Sequence, residues 1–391
     1  MALSRRGFVQ TVGVGAAAAW IGARGREHGI WSAFEPTLQA VEPGTIVLAS
    51  NENPLGPGKT VMKAVRTAFG EGGRAPGRYS GTSGDLIDAL AKRLGVKPEN
   101  IVLGCGSTQI LRTATHLFTA KDRALVGTIP TYEECAGYAE MMGHPVRPVA
   151  LDSEFKMDLG KITEAARGAG LVFYCNPNNP TATYVGARAT RDFLAKVNRE
   201  SPETTVLVDE AYFDYVTDPD HDTHIPIAVD NPRVVVARTF SKAYGMAGLR
   251  MGYAVGHADT IKKMREWDAG SGTSSLNVLA LHAGLAAVEQ DPSFITAERA
   301  RNTAARDFTM KWFSERGMKP TDSQANFMFV NIGRPVKEFR DACRKKGILV
   351  ARDFPPFEKT HCRLSFGTMD EMKKAVAVFG DVLGKKTATA A

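Results

Sequence analysis

The sequence predicts an α/β fold: a large domain on a mostly parallel sheet, then a smaller α+β C-terminal domain. Three observations predict it. Apolar runs of strand length alternate with stretches of helical spacing from residue 59 to residue 290, the pattern of a parallel sheet covered on both faces. Three of these runs, Val172–Tyr174, Thr205–Val208 and Arg233–Ala237, lead straight into polar residues, and in parallel sheets ligand-contacting side chains gather at the carboxyl ends of strands. A long helical stretch, Asp291–Arg316, then leads into strands near Phe327–Val330 and His361–Phe366. At 391 residues the chain can bury a full α/β domain and a smaller one.

Residues 1–29 read as a leader and residues 30–58 as an extended arm rich in proline and glycine. Lys59–Phe69 is a helix. Thr82–Leu94 is another, with Leu86, Ile87, Leu90, Ala91 and Leu94 at helical spacing and Gly95 as its stop. Strands at Ile101–Leu103, Arg123–Gly127 and Pro145–Ala150 alternate with helices Ser107–Phe118 and Glu133–Met142. The alternation continues through Val172–Tyr174, helix Arg188–Glu200, Thr205–Val208, Arg233–Ala237 and Gly252–Val255, and the large domain closes with helix Asn277–Val288. Residues 59–290 form the large domain and 291–391 the small one.

A composition of 43% hydrophobic and 23% charged residues is that of a soluble globular protein. The net charge of +7 comes with no basic run or aromatic-interleaved stripe, so it points to anionic small molecules rather than nucleic acid. The leader carries Arg5 and Arg6, then the short, weakly apolar Thr11–Trp20. That run is too short for a membrane span and has the form of an export signal, with a disordered basic leader as the alternative. It resembles twin-arginine signals, which export folded proteins, so the expected location is periplasmic or exported, and cytoplasmic if the signal is unused. The leader has no cysteine for a lipid anchor. Cys105, Cys135, Cys175, Cys343 and Cys362 lack paired spacing and read as buried thiols, with one bridge open to an exported protein. No metal-ligand cluster is apparent among the eight histidines. Gly56-Pro-Gly-Lys-Thr60 hints at a P-loop, but the first required glycine would fall at Asn53.

The chemistry centres on Arg238-Thr-Phe-Ser-Lys-Ala-Tyr-Gly-Met-Ala-Gly-Leu-Arg250. Lys242 follows an apolar run, with Thr239 and Ser241 beside it and Arg250 one glycine-rich loop later. A lysine can form a Schiff base with a phosphorylated aldehyde, while hydroxyls and a guanidinium hold the phosphate. Asp209, at the end of its own apolar run, can pair with a protonated pyridine nitrogen, and by itself it also suits a strand-end cap. The Asn/Pro turn Asn176–Thr181 and Tyr212 supply donors for a ring oxygen.

Read together, these pieces resemble a fold-type I pyridoxal 5'-phosphate (PLP) enzyme of the class I/II aminotransferases, and within them the histidinol-phosphate aminotransferase group. The similarity rests on segments in family order across almost the whole chain after the leader. It begins with Ser50-Asn-Glu-Asn-Pro-Leu-Gly56, Arg78-Tyr79, Gly104-Cys-Gly-Ser-Thr108 and Pro130-Thr-Tyr132. It continues through Asn176-Pro-Asn-Asn-Pro-Thr181, Asp209-Glu-Ala-Tyr212, Thr239-Phe-Ser-Lys242, Gly248-Leu-Arg250 and Arg363-Leu-Ser365. The resemblance implies the aspartate aminotransferase-like fold and a homodimer. It makes Lys242 the Schiff-base lysine and proton carrier, Asp209 the pyridinium partner, and Asn179 and Tyr212 the ring-oxygen donors. Gly106, Ser107, Thr108, Thr239, Ser241 and Arg250 form the phosphate cup, Tyr132 stacks on the ring, and Tyr79 reaches the neighbouring subunit's phosphate. Arg363 grips the substrate α-carboxylate, and Arg352 stands where that group places a substrate-phosphate arginine.

Departures from the family pattern are Ala182 in place of glycine after the Asn/Pro turn, Ser80 in place of proline, a fuller loop after Lys242, and Ala351-Arg352 followed by Asp353 and two prolines. The reaction implied moves an amino group between an amino acid, or an amino-alcohol phosphate such as histidinol phosphate, and a 2-oxo acid. Its rivals are a same-fold decarboxylase resembling threonine-phosphate decarboxylase and a PLP-binding protein without catalysis. An export signal sits badly with a cytoplasmic biosynthetic intermediate, which places histidinol phosphate below a general amino-acid or aromatic transamination.

Overall fold

β-Branched and aliphatic runs become strands here because both of their faces find apolar cover. The structure is a computed structural model and describes residues 42–70, 77, 82–269 and 276–384. The leader, the first part of the arm, and Arg78, Tyr79 and Ser80 lie outside the described residues. From Ile46 onward the described chain forms one compact unit.

Strand β1 (Ile46–Leu48) precedes the strands of the main sheet. These are β2 (Ile101–Gly104), β3 (Leu125–Ile129), β4 (Val146–Ala150), β5 (Leu171–Cys175), β6 (Thr205–Asp209), β7 (Val234–Thr239) and β8 (Gly252–Gly256). Their spatial order is β2-β8-β7-β6-β5-β3-β4. β8 runs antiparallel to both β2 and β7, while the remaining pairs are parallel. The sheet is thus mostly parallel, as the alternation predicts. Side chains split by parity between its faces. Val172, Tyr174, Val206, Val208, Val234 and Val236 enter one core, while Leu171, Phe173, Leu207 and Val235 enter the other.

The C-terminal part contains β9 (Phe327–Asn331), β10 (Ile348–Val350) and β11 (His361–Ser365). β9 and β11 pair antiparallel, and β10 pairs in parallel with β1. Phe313, Met328, Val330, Phe339, Leu364 and Phe379 build a separate core under these strands. The β1–β10 pairing brings Ala49–Asn53 back towards the main sheet, which matters for the site.

Several elements are absent from the sequence reading: strands β1 and β10 and helices Leu159–Ala165, Ile225–Asp230, Ala258–Ala269, Val336–Lys345 and Met369–Leu383. The first three helices are short or carry few apolar positions. Val336–Lys345 buries only Val336, Phe339 and Cys343, a narrow stripe in a charged segment. Met369–Leu383 is announced by a capping box in which Thr368 and Glu371 each bond the other's backbone N–H. β1 and β10 have three residues each, below the length at which period-2 alternation is readable.

Candidate active site

Because β2, β3, β5, β6 and β7 share one direction, their carboxyl ends meet along one edge. Asp209 is the last residue of β6 and Thr239 the last of β7, with Ser241 and Lys242 just beyond. The Asn/Pro turn follows β5, Tyr132 follows β3, and Gly106 opens helix Gly106–Phe118 after β2. Each parallel strand therefore delivers its polar residues to the same place.

The helix start makes an anion cradle. Gly106 has φ +70, and a Cβ there would run into the Arg250 guanidinium, so glycine serves both the backbone turn and the close approach. Arg250 has φ 57 and donates from Nη1 to Ser241 Oγ at 3.3 Å and to the Ala247 carbonyl at 3.0 Å. Gly252 lets β8 pass against the backbone of Gly106 and Ser107. The free N–H groups of the first helical turn, the Thr239 and Ser241 hydroxyls and one guanidinium thus surround a space suited to a phosphate dianion.

Adjacent carboxylates at the end of β6 show opposite electrostatics. Glu210 is buried, yet Arg238 at 2.7 Å and His224 at 3.1 Å hold its carboxyl down to about 2. Asp209 is 3% exposed and, among the described residues, receives no such cation. It accepts the Ala211 N–H at 3.1 Å and has the Cys175 thiol at 4.0 Å. Burial raises Asp209 from its ordinary 3.8 to about 7, with Lys242 only partly opposing the rise. A buried carboxylate without a bound cation fits the N–H of a pyridinium.

Lys242 Nζ donates to the Ser50 carbonyl at 3.1 Å. Burial, then Arg363 and Arg250, lower its ammonium to about 8, while Glu52 and Asp209 pull the other way. Arg363 is 8% exposed and comes from β11. Its Nη1 donates to Asn179 Oδ1 at 2.8 Å and its Nη2 to the Ala49 carbonyl, while Nε has no partner. Burial, with Arg352 adding to it, lowers Arg363 to about 10. A buried guanidinium with a spare N–H suits an arriving carboxylate.

The ring-oxygen donors are held by a network the sequence reading left without a role. Ser365 Oγ donates to Asn51 Oδ1 at 2.8 Å, which turns Asn51 Nδ2 towards Tyr212, where it donates to the phenol oxygen at 3.1 Å. Tyr212 then has its own O–H to give elsewhere, and burial keeps that phenol above its ordinary range and protonated. Asn179 spends its Oδ1 on Arg363, so its Nδ2 faces donation. Asn51 has φ 56, and Asn326 holds its carbonyl at 2.9 Å. Its signal in the sequence is the Ser50–Gly56 segment, which carries the resemblance without marking Asn51 as a brace. Burial raises the Tyr132 phenol as well.

Two departures resolve in the geometry. Ala182 takes the left-handed conformation itself, with φ 61, its N–H bonding the Asn178 carbonyl at 2.7 Å and its carbonyl accepting from Gln324 N–H at 2.8 Å. Arg352 lies near Arg363 but forms an ion pair with Glu133 at 2.6 Å. All the described cofactor and substrate candidates thus converge, and Tyr79 lies outside the described residues. The five cysteines are free, with Cys105 exposed and the other four buried.

Residues 43–379 match the family model of aminotransferase class I and II. The chain belongs to the class I and II aminotransferases. It is 31% identical over 346 residues to the histidinol-phosphate aminotransferase of Halalkalibacterium halodurans, covering 88% of this chain and 90% of that protein. It is 36% identical over 349 residues to histidinol-phosphate aminotransferase 2 of Methylococcus capsulatus, covering 86% and 90%. The crystal structure of histidinol-phosphate aminotransferase from Sinorhizobium meliloti in complex with pyridoxal-5'-phosphate superposes with TM-score 0.78 at 25% identity, over 93% of this chain and 94% of that one. The chain has the aspartate aminotransferase-like fold, uses PLP and is an aminotransferase of amino and 2-oxo acids.

Proposed function

We propose that this site attaches PLP through Lys242 and exchanges an amino group between an amino acid held by Arg363 and a 2-oxo acid. The supporting observation is the buried set of Lys242, Asp209 and Arg363: an amine lowered to about 8, a carboxyl raised to about 7 and a guanidinium with an unpartnered Nε. When bound, PLP supplies an aldehyde that condenses with amines and a ring that takes up the electrons of the breaking Cα–H bond. The phosphate belongs with Gly106, Ser107, Thr108, Thr239, Ser241 and Arg250. Asp209 would take the ring N–H, Asn179 and Tyr212 would donate to the ring oxygen, and Tyr132 would cover a ring face. With its ammonium near 8, roughly one Lys242 in ten is neutral at pH 7. The same Nζ carries the proton removed from the substrate Cα. Arg363 grips the α-carboxylate and is itself braced by Asn179.

Histidinol phosphate, named by the relatives, is the second reading, which needs the Arg352–Glu133 pair to open. A panel of amino acids and histidinol phosphate, each with a 2-oxo acid, tests the choice by following the cofactor spectrum and the products. Formation of the matching 2-oxo acid supports transamination. Release of CO2 in its place returns the decarboxylase. The same reading takes the chain as a homodimer completed by Tyr79, tested by sedimentation at assay concentrations. It takes residues 59–290 and 291–391 as the two domains, and Arg5-Arg6 as an export signal read by the twin-arginine machinery.

A further inference from the structure

We propose that Glu133 sets the substrate class of this site: by holding Arg352 it competes with anionic side chains for that guanidinium, so the amino donor carries an uncharged one. This rests on the reading of Arg363 as the α-carboxylate anchor. Two guanidinium groups flank one ring, Arg363 with Cζ 4.7 Å and Arg352 with Cζ 4.4 Å from the Phe354 centroid. Arg352 therefore stands beside the α-carboxylate anchor, and what it pairs with bears on which side chain is welcome there.

That charge is already matched. Arg352 Nη2 donates to Glu133 Oε2 at 2.6 Å and Nη1 to the Asp353 carbonyl at 2.9 Å, so both terminal nitrogens have acceptors. The neighbouring Asp353 carboxylate is not the partner, because Arg340 holds it at 2.8 Å. Glu133 instead reaches across from the residue after Tyr132. Both members are about one third exposed, at 34% and 32%, so the pair stands within reach of a ligand. An incoming carboxylate or phosphate meets an ion pair with no net charge and must compete with the Glu133 carboxylate for the Arg352 guanidinium. Repulsive elements of this kind discriminate more sharply than a missing attraction.

The test compares glutamate and O-phosphoserine with glutamine and norvaline as donors for wild type, Glu133→Gln, Glu133→Ala and Arg352→Ala. Wild type is expected to use the uncharged donors at least about tenfold better in kcat/KM, the scale of one charged contact. Glu133→Gln and Glu133→Ala are expected to raise kcat/KM for the anionic donors about tenfold and to change it less than about threefold for the others. Adding Arg352→Ala removes that gain. Calorimetry with glutarate, which cannot react, reads the same change as tighter binding by the Glu133 variants of the cofactor-loaded enzyme. Wild type preferring the anionic donors, or glutarate binding unchanged across the variants, overturns the proposal. A wild type that transaminates no donor while glutarate binding responds as described refutes the functional reading instead.

Discussion

Asp209→Asn separates the cost of the site from its use. Asp209 is 3% exposed, is bonded by one backbone N–H, and is raised by burial from 3.8 to about 7. A raised carboxyl binds its proton more tightly in the folded than in the unfolded chain. Its contribution to stability is therefore fully present below about 4 and is lost as pH rises through about 7. At about 1.4 kcal/mol per pKa unit the loss has a ceiling of roughly 4 kcal/mol. Asparagine keeps the shape and the acceptor for the Ala211 N–H but carries no charge. Cofactor-free Asp209→Asn is accordingly expected to be more stable than wild type at pH 8, by up to that ceiling, with a smaller advantage at pH 5. Urea denaturation at the two pH values measures it. In the loaded enzyme the sign reverses: without an anion for the ring nitrogen, the variant holds cofactor more weakly and loses turnover by about a thousandfold or more. An advantage of equal size at both pH values, or none at pH 8, refutes the reasoning.

Asn51→Ala and Tyr212→Phe are expected each to weaken cofactor retention, and to do so non-additively in a double-mutant cycle, because Asn51 acts through the Tyr212 hydroxyl; additive effects, read by spectral titration, contradict this. Arg363→Ala is expected to cost amino acids about 2–4 kcal/mol in kcat/KM and to cost amines lacking a carboxylate far less; an equal penalty places Arg363 away from the carboxylate. Replacing Arg5 and Arg6 by lysine is expected to retain the folded, loaded enzyme in the cytoplasm, while wild type is found outside and shortened by roughly 20–30 residues. Cell fractionation with intact-mass measurement checks this, and full-length wild type confined to the cytosol refutes it and returns histidinol phosphate to first place.

Much of the fold was legible because parallel strands buried on both faces leave long apolar runs, such as Val172–Tyr174 and Thr205–Val208, with polar residues at their ends. Asp209, Lys242 and Arg250 were readable for the same reason: chain chemistry and strand ends coincide. What stayed hidden depends on pairings across the chain. β1 is only three residues long, and its partner β10 lies some three hundred residues away, so nothing local marks Asn51 as the brace of Tyr212. The Glu133–Arg352 pair joins residues 219 positions apart, and neither residue looks unusual alone. The resemblance assigned Arg352 by position, whereas its partner in the fold is a glutamate on another element. Ala182 shows the converse case, where a missing glycine did not remove the left-handed turn, because the buried hydrogen bonds on both sides of the residue hold it there.

The most direct test of the central assignment is borohydride reduction of the loaded enzyme followed by peptide mass mapping. Reduction fixes the cofactor to whichever lysine carries it. The expected result is a single modified peptide containing Lys242, absent from Lys242→Ala, which still retains phosphate-held cofactor without turnover. Modification of a different lysine, or undiminished transamination by Lys242→Ala, would contradict the assignment.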